Sequence, residues 1–172
     1  VIRGADEIRI LDMTTEPLWL HTPDQITDAQ DAQYSPDGRY IATTGSWVPP
    51  SIVRIWDANS GILLQELIGG SFRRHMAWSP DGTRLIVGGD PTRIWDVATW
   101  TALLDLSAEE GSWYHTPNWS PDGKQVAGSN IFAGNWPVVV FDATTGEYLL
   151  TLGEDYQGHK YPEWSPDGTR IA

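Results

Sequence analysis

The chain has 172 residues, 40% of them hydrophobic and 20% charged, a length that suits one domain with a sizeable core. Its net charge of −12 repels phosphate backbones and anionic lipid, which sets nucleic acid and membrane surfaces aside as expected partners. Cysteine is absent, so there is neither a disulfide nor a thiolate metal site, and no stretch approaches the roughly 18 apolar residues of a membrane-spanning helix.

The first predicted strand is "EIRILD" (7–12), which ends on Asp before the turn "MTTE" and is followed by "PLWLHT", so that two strands occupy residues 1–22. A longer unit spans 32–67. Its first strand ends at Tyr34, the turn "SPDG" follows, "RYIATTG" is the second strand, "VRIWD" (53–57) the third and "ILLQELI" the fourth. The order repeats over 76–106, with Trp78, "SPDG", "TRLIVGG", "TRIWD" and "TALLDL", and over 117–152, with Trp119, "SPDG", "KQVAGSN", "VVVFD" and "EYLLTL". A last pair, ending at Trp164 and resuming at "TRIA", fills 160–172. The serines of the four "SPDG" turns are 44, 41 and 45 residues apart. No helical stripe of ten or more residues interrupts this pattern, so the expected class is all-β.

The repeated phrase has a local physical reading. Proline presets φ for the first central position of a type I turn, aspartate tolerates the bridge region and glycine takes the left-handed conformation that closes a hairpin. Serine bonds to the turn amides. Asp37, Asp81, Asp122 and Asp167 are therefore read as turn residues and not as catalytic carboxylates.

Four short antiparallel strands per 41 to 45 residues, with Trp-Asp closing the third, is the pattern of a β-propeller blade. On the four "SPDG" turns and the strands "VRIWD", "TRIWD" and "VVVFD" the sequence resembles the WD-repeat family across essentially its whole length. The resemblance implies three complete blades and two half-blades, strands c and d at 1–22 and strands a and b at 160–172. It also implies an open arc, because blades of this family pack at the shallow angle of larger rings. The start at Val1 and the stop within a strand lead us to expect a fragment of a larger propeller.

In this family a buried set links Trp on strand c, a hydroxyl on strand b, Asp in the b–c turn and His in the d–a loop. Trp56 and Trp95 match the first role; Phe141 and Leu11 cannot donate, Gly88 and Gly89 stand in place of the second hydroxyl, and His75, His115 and His159 lie close to the turn aromatics, so the set is expected to be eroded.

No nucleophile elbow, phosphate loop, His-Glu-x-x-His or calcium loop is present. The expectation is a non-enzymatic scaffold without cofactor or metal, in the cytoplasm, binding a protein or peptide. The alternatives are the propeller of an enzyme, as a peptidase gate or with a small-molecule site at the central channel, or a periplasmic Tol-like propeller. In an antiparallel blade the a–b and c–d turns share one face. The longer, aromatic d–a and b–c loops share the other, and loops on a rigid scaffold carry recognition. The candidate binding residues are Trp47, Phe72, Arg73, Arg74, Trp113, Tyr114, Phe132, Trp136 and Tyr156.

Overall fold

Fifteen strands and, among the described residues, no helix build four antiparallel sheets. The computed structural model describes residues 2–3, 8–10, 18–19, 31–44, 52–68, 75–106, 114–130, 137–153 and 161–172. The first sheet contains β1 (Ile2–Arg3), β2 (Ile8–Ile10) and β3 (Leu18–Trp19). The second contains β4 (Asp31–Tyr34), β5 (Tyr40–Thr44), β6 (Ile52–Asp57) and β7 (Leu63–Ile68). The third is β8 (Met76–Trp78), β9 (Arg84–Val87), β10 (Thr92–Asp96) and β11 (Ala102–Leu106). The fourth is β12 (Tyr114–Trp119), β13 (Gln125–Asn130), β14 (Val138–Asp142) and β15 (Tyr148–Leu152). Each sheet is a meander in chain order, as expected of propeller blades, and a bridge between Trp164 and Ile171 begins another pair. The first sheet includes β1 in addition to the two strands read from the sequence; two residues are too short a run to declare themselves by alternation.

The core lies between the sheets. Alternation on β9 sends Leu85 and Val87 to one side, where they join Ala42, Val53, Ile55 and Leu67 of the preceding blade. Ile86 points the other way, to a cluster with Ile94, Leu106, Trp119, Val126, Val139 and Phe141 that spans the next junction. Trp56 is fully buried and Trp95 nearly so, as their place on the third strand predicts. At the last junction Ala127, Val138 and Val140 receive Trp164 and Ile171. The outermost strands pack least. Leu67 and Leu106 are buried on β7 and β11, but Leu152, at the equivalent register on β15, is 41% exposed.

The "SPDG" turns form a ladder on one face. In every copy the glycine amide donates to the serine carbonyl at 2.8–2.9 Å, the bond of a type I turn, and the glycine sits at φ 68–72°. A side chain on Gly82 would meet Pro36 at 3.6 Å, one on Gly123 would meet Pro80 at 3.7 Å, and one on Gly168 would meet Pro121 at 3.6 Å, so the last three turns each lie beside the proline of the turn before. The c–d turns share this face. Within a blade the amides of Ala58, Val97 and Ala143 bond to the carbonyls of Arg39, Thr83 and Lys124. Between blades Arg84 reaches Gly123 O at 2.6 Å and Ala143 O at 2.8 Å while lying over the Trp119 ring.

One c–d turn departs from its siblings. The left-handed position held by Gly61 and Gly146 is taken by Trp100, at φ 54°. A bulky residue pays of order 1 kcal/mol there, and Trp100 offsets it through edge contacts with Tyr40 and Trp78 at 5.5 and 6.4 Å between centroids.

The series of sheets is not closed. Strand β2 pairs with β1 and β3, and among the described residues no pairing joins it to residues 168–172.

Candidate functional site

Of the residues expected on the loop-rich face, Trp47, Phe72, Arg73, Arg74, Trp113, Phe132, Trp136 and Tyr156 lie outside the described residues. Tyr114 opens β12, where its backbone pairs with Asn130. What the structure fixes is the frame: the ends of β5, β7, β9, β11, β13 and β15, to which these segments attach, all lie opposite the turn ladder.

The turn aspartates are structural. Each serine hydroxyl donates to its aspartate, Ser35 to Asp37, Ser79 to Asp81 and Ser165 to Asp167 at 2.6 Å and Ser120 to Asp122 at 2.7 Å. The same hydroxyl accepts the amide of the residue that opens the next strand, at 2.9–3.0 Å. Asp57, Asp96 and Asp142 play a matching part in the c–d turns, accepting the amides and hydroxyls of Ser60, Thr99 and Thr145 and the amide of Thr144. Hydrogen bonds to the ionised form hold all seven below the usual carboxylate range, led by the serine hydroxyl at Asp37, Asp81, Asp122 and Asp167, the last at about 2. These carboxylates bind protons less readily folded than unfolded. Their contribution is therefore complete above about pH 4, the unfolded value, and is lost as pH falls through the lowered folded values, about 2 for Asp167. The melting temperature is expected to be level from pH 7 to 5 and to drop steeply below pH 4. Calorimetry across that range checks this, and the Asp167→Asn variant should show a shallower acid limb.

A second arrangement faces the inner edge of the blades. The edge strands β4, β8 and β12 and the segment 161–164 lie side by side. Trp78 Nε1 donates to Gln33 O at 3.4 Å and Trp119 Nε1 to Ala77 O at 2.9 Å. In the opposite sense Gln33 Nε2 donates to Met76 O at 2.9 Å, and Asn118 Nδ2 to Pro162 O at 3.2 Å. Together these strands wall a pocket of about 480 Å³. Asn118 Nδ2 also holds Glu163 Oε2 at 2.9 Å, and Tyr161 meets His75 edge-on with centroids 6.4 Å apart. On β12 a bulge sets Thr116 and Pro117 opposite Gly128, with Thr116 at φ 49°. That is a strained backbone for a β-branched residue. The sequence reading passed over this wall. Its signal was the residue before each turn aromatic, Gln33, Ala77, Asn118 and Glu163, which occupies one register in four copies.

A family model described as WD domain, G-beta repeat matches residues 63–96, from the outer strand β7 through β8 and β9 to Asp96 at the end of β10. Residues 63–96 thus carry the sequence of one WD repeat, laid on sheets built as propeller blades. The Protein HIR1 of two strains of Cryptococcus neoformans var. neoformans serotype D is 29% identical over 123 residues, which are 67% of this chain and 13% of that protein. The chain thus corresponds to a small part of the length of these curated relatives. Among solved structures, the Kuenenia stuttgartiensis Hydrazine Synthase aligns over 87% of this chain and 45% of its own, with a TM-score of 0.72 and 17% identity, a likeness of fold.

The buried set associated with WD repeats survives here in one limb. Trp56 Nε1 donates to Thr43 Oγ1 at 2.9 Å, both buried. In the next blade the register sets Leu85 opposite Trp95 as Ile41 is set opposite Trp56, so Val87 is the counterpart of Thr43. The missing hydroxyl is thus at Val87 and not at Gly88 or Gly89, and the buried Trp95 Nε1 has no acceptor among the described residues. His75 turns toward Tyr161 on the inner wall.

Proposed function

We propose that this WD-repeat domain is a non-enzymatic interaction module that engages a protein or peptide through the face bearing its d–a and b–c loops. The observation that carries the reading is the ladder of turn contacts from Pro36–Gly82 to Pro121–Gly168. It commits one face of the blades to holding them together and leaves the segments 45–51, 69–74, 107–113, 131–136 and 154–160 attached at the other. Those segments supply Trp47, Phe72, Arg73, Arg74, Trp113, Phe132, Trp136 and Tyr156, the residue types that dominate interface energetics. In an acidic chain, Arg73 and Arg74 would offer a local basic contact to an acidic stretch of the partner.

The test compares Trp113→Ala with Trp78→Ala in the intact protein. Trp113→Ala is expected to cost about 2 kcal/mol or more of partner affinity with an unchanged melting temperature. Trp78, 8% exposed and packed between two blades, should lower the melting temperature sharply. If Trp113→Ala destabilises as much as Trp78→Ala, the aromatic loops belong to the core and the reading fails.

A further inference from the structure

We infer that the pocket on the inner wall receives a guanidinium group, supplied by an arginine side chain of the bound partner; this rests on the reading of the domain as a protein-binding module. Three observations converge on a cationic, planar, donor-rich ligand. The first is the hydrogen-bonding bias of the wall. The strands that form it are sheet edges, whose outward carbonyls and amides face the pocket. Pro117 and Pro162 remove two of the amides; Met76 O and Pro162 O already accept Gln33 Nε2 and Asn118 Nδ2, but each carbonyl oxygen keeps a second lone pair, so acceptor capacity remains where these amide donors are lost.

The second observation is the placed carboxylate. Glu163 is fixed from both sides, its backbone pairing with Ala172 at 2.9 and 3.2 Å and its Oε2 held by Asn118. One amide donor leaves a carboxylate most of its acceptor capacity, which matches the paired donors of a guanidinium. Among the described residues that line the pocket there is neither Lys nor Arg, and the whole chain carries a net charge of −12, which favours a cation.

The third is the aromatic rim. Tyr161 is 63% exposed beside His75, and Tyr34 on β4 is 44% exposed at the same pocket. Exposed tyrosines lining the same pocket as a carboxylate suit a delocalised planar cation better than a compact, strongly hydrated ammonium. The volume of about 480 Å³ accommodates one long side chain and the backbone on either side of it.

The experiment titrates the full-length protein with three blocked tripeptides, acetyl-Gly-Arg-Gly-amide and its lysine and citrulline counterparts, by calorimetry and by NMR of the aromatic side chains. The arginine peptide should bind saturably, with lysine at least fivefold weaker and citrulline, isosteric but neutral, at least tenfold weaker. Glu163→Gln should weaken the arginine peptide about tenfold at an unchanged melting temperature, since the side chain is exposed. Asn118→Ala should weaken it less. Equal binding of arginine and citrulline peptides, indifference to Glu163→Gln, or no binding of the arginine peptide at millimolar concentration would each overturn the inference. Its failure is separable from that of the binding-face reading: a partner lost with Trp113→Ala but retained with Glu163→Gln leaves the interaction module standing and the arginine pocket refuted.

Discussion

Replacing Trp119 with alanine is expected to cost about 3–5 kcal/mol of stability, the range for truncating a large buried aromatic. The side chain is 4% exposed and belongs to the cluster that joins the second and third complete blades. Its indole donates to Ala77 O across the junction, and Arg84 lies 4.6 Å above its ring while bonding two turns of the third blade. Truncation therefore opens a cavity, leaves a carbonyl without its donor and removes the platform that orients the guanidinium. For a domain of this size the melting temperature should fall by roughly 6–20 °C. Trp119→Phe keeps most of the contact area and loses the indole bond, and is expected to cost about 1–2 kcal/mol. Calorimetry on both variants tests the assignment: a loss below 1 kcal/mol for Trp119→Ala would mean that the junction is held elsewhere.

The second large effect concerns the hydroxyl under the strand c tryptophans. Thr43→Val is nearly isosteric, so it removes the acceptor of Trp56 Nε1 without leaving a void, and a buried indole N–H left alone costs about 1–3 kcal/mol. Val87→Thr makes the reverse change beneath Trp95, whose Nε1 has no acceptor among the described residues. It should be neutral or stabilise by up to about 1 kcal/mol, although burying a hydroxyl in a core position ordinarily destabilises. Urea titration of the two variants reads the difference. Two losses of similar size would refute the equivalence of Thr43 and Val87.

Much of this architecture was legible because it is written in short-range chemistry. Proline, aspartate and glycine fix the "SPDG" hairpins whatever surrounds them, and the alternation in "VRIWD" and "TRIWD" places Trp56 and Trp95 in the core before any neighbour is known. The strand b hydroxyl was harder to place. Locating the missing acceptor of Trp95 needs the register, which sets Leu85 across from it and so points to Val87, whereas inspection of the sequence draws the eye to Gly88 and Gly89. The inner-wall pocket was not legible. His75 and Tyr161 are 86 positions apart in the chain and meet only because successive edge strands lie side by side. The candidate loop residues are the converse case: their chemistry is plain in the sequence, while eight of the nine lie outside the described residues.

The contacts between turns have a consequence for how such a chain can change its size. Pro36 lies beside Gly82, Pro80 beside Gly123 and Pro121 beside Gly168, close enough that a Cβ on the glycine would meet the ring, and each juxtaposition uses a residue from one copy of the phrase and a residue from the next. A blade thus carries both halves of its own coupling, like a link in a chain. Duplicating a segment of 41 to 45 residues adds one blade together with the means of joining it to either neighbour, and deleting one removes both. Stability then grows as a sum over units and the junctions between them, so the number of blades is free to vary while the rule that joins them stays fixed.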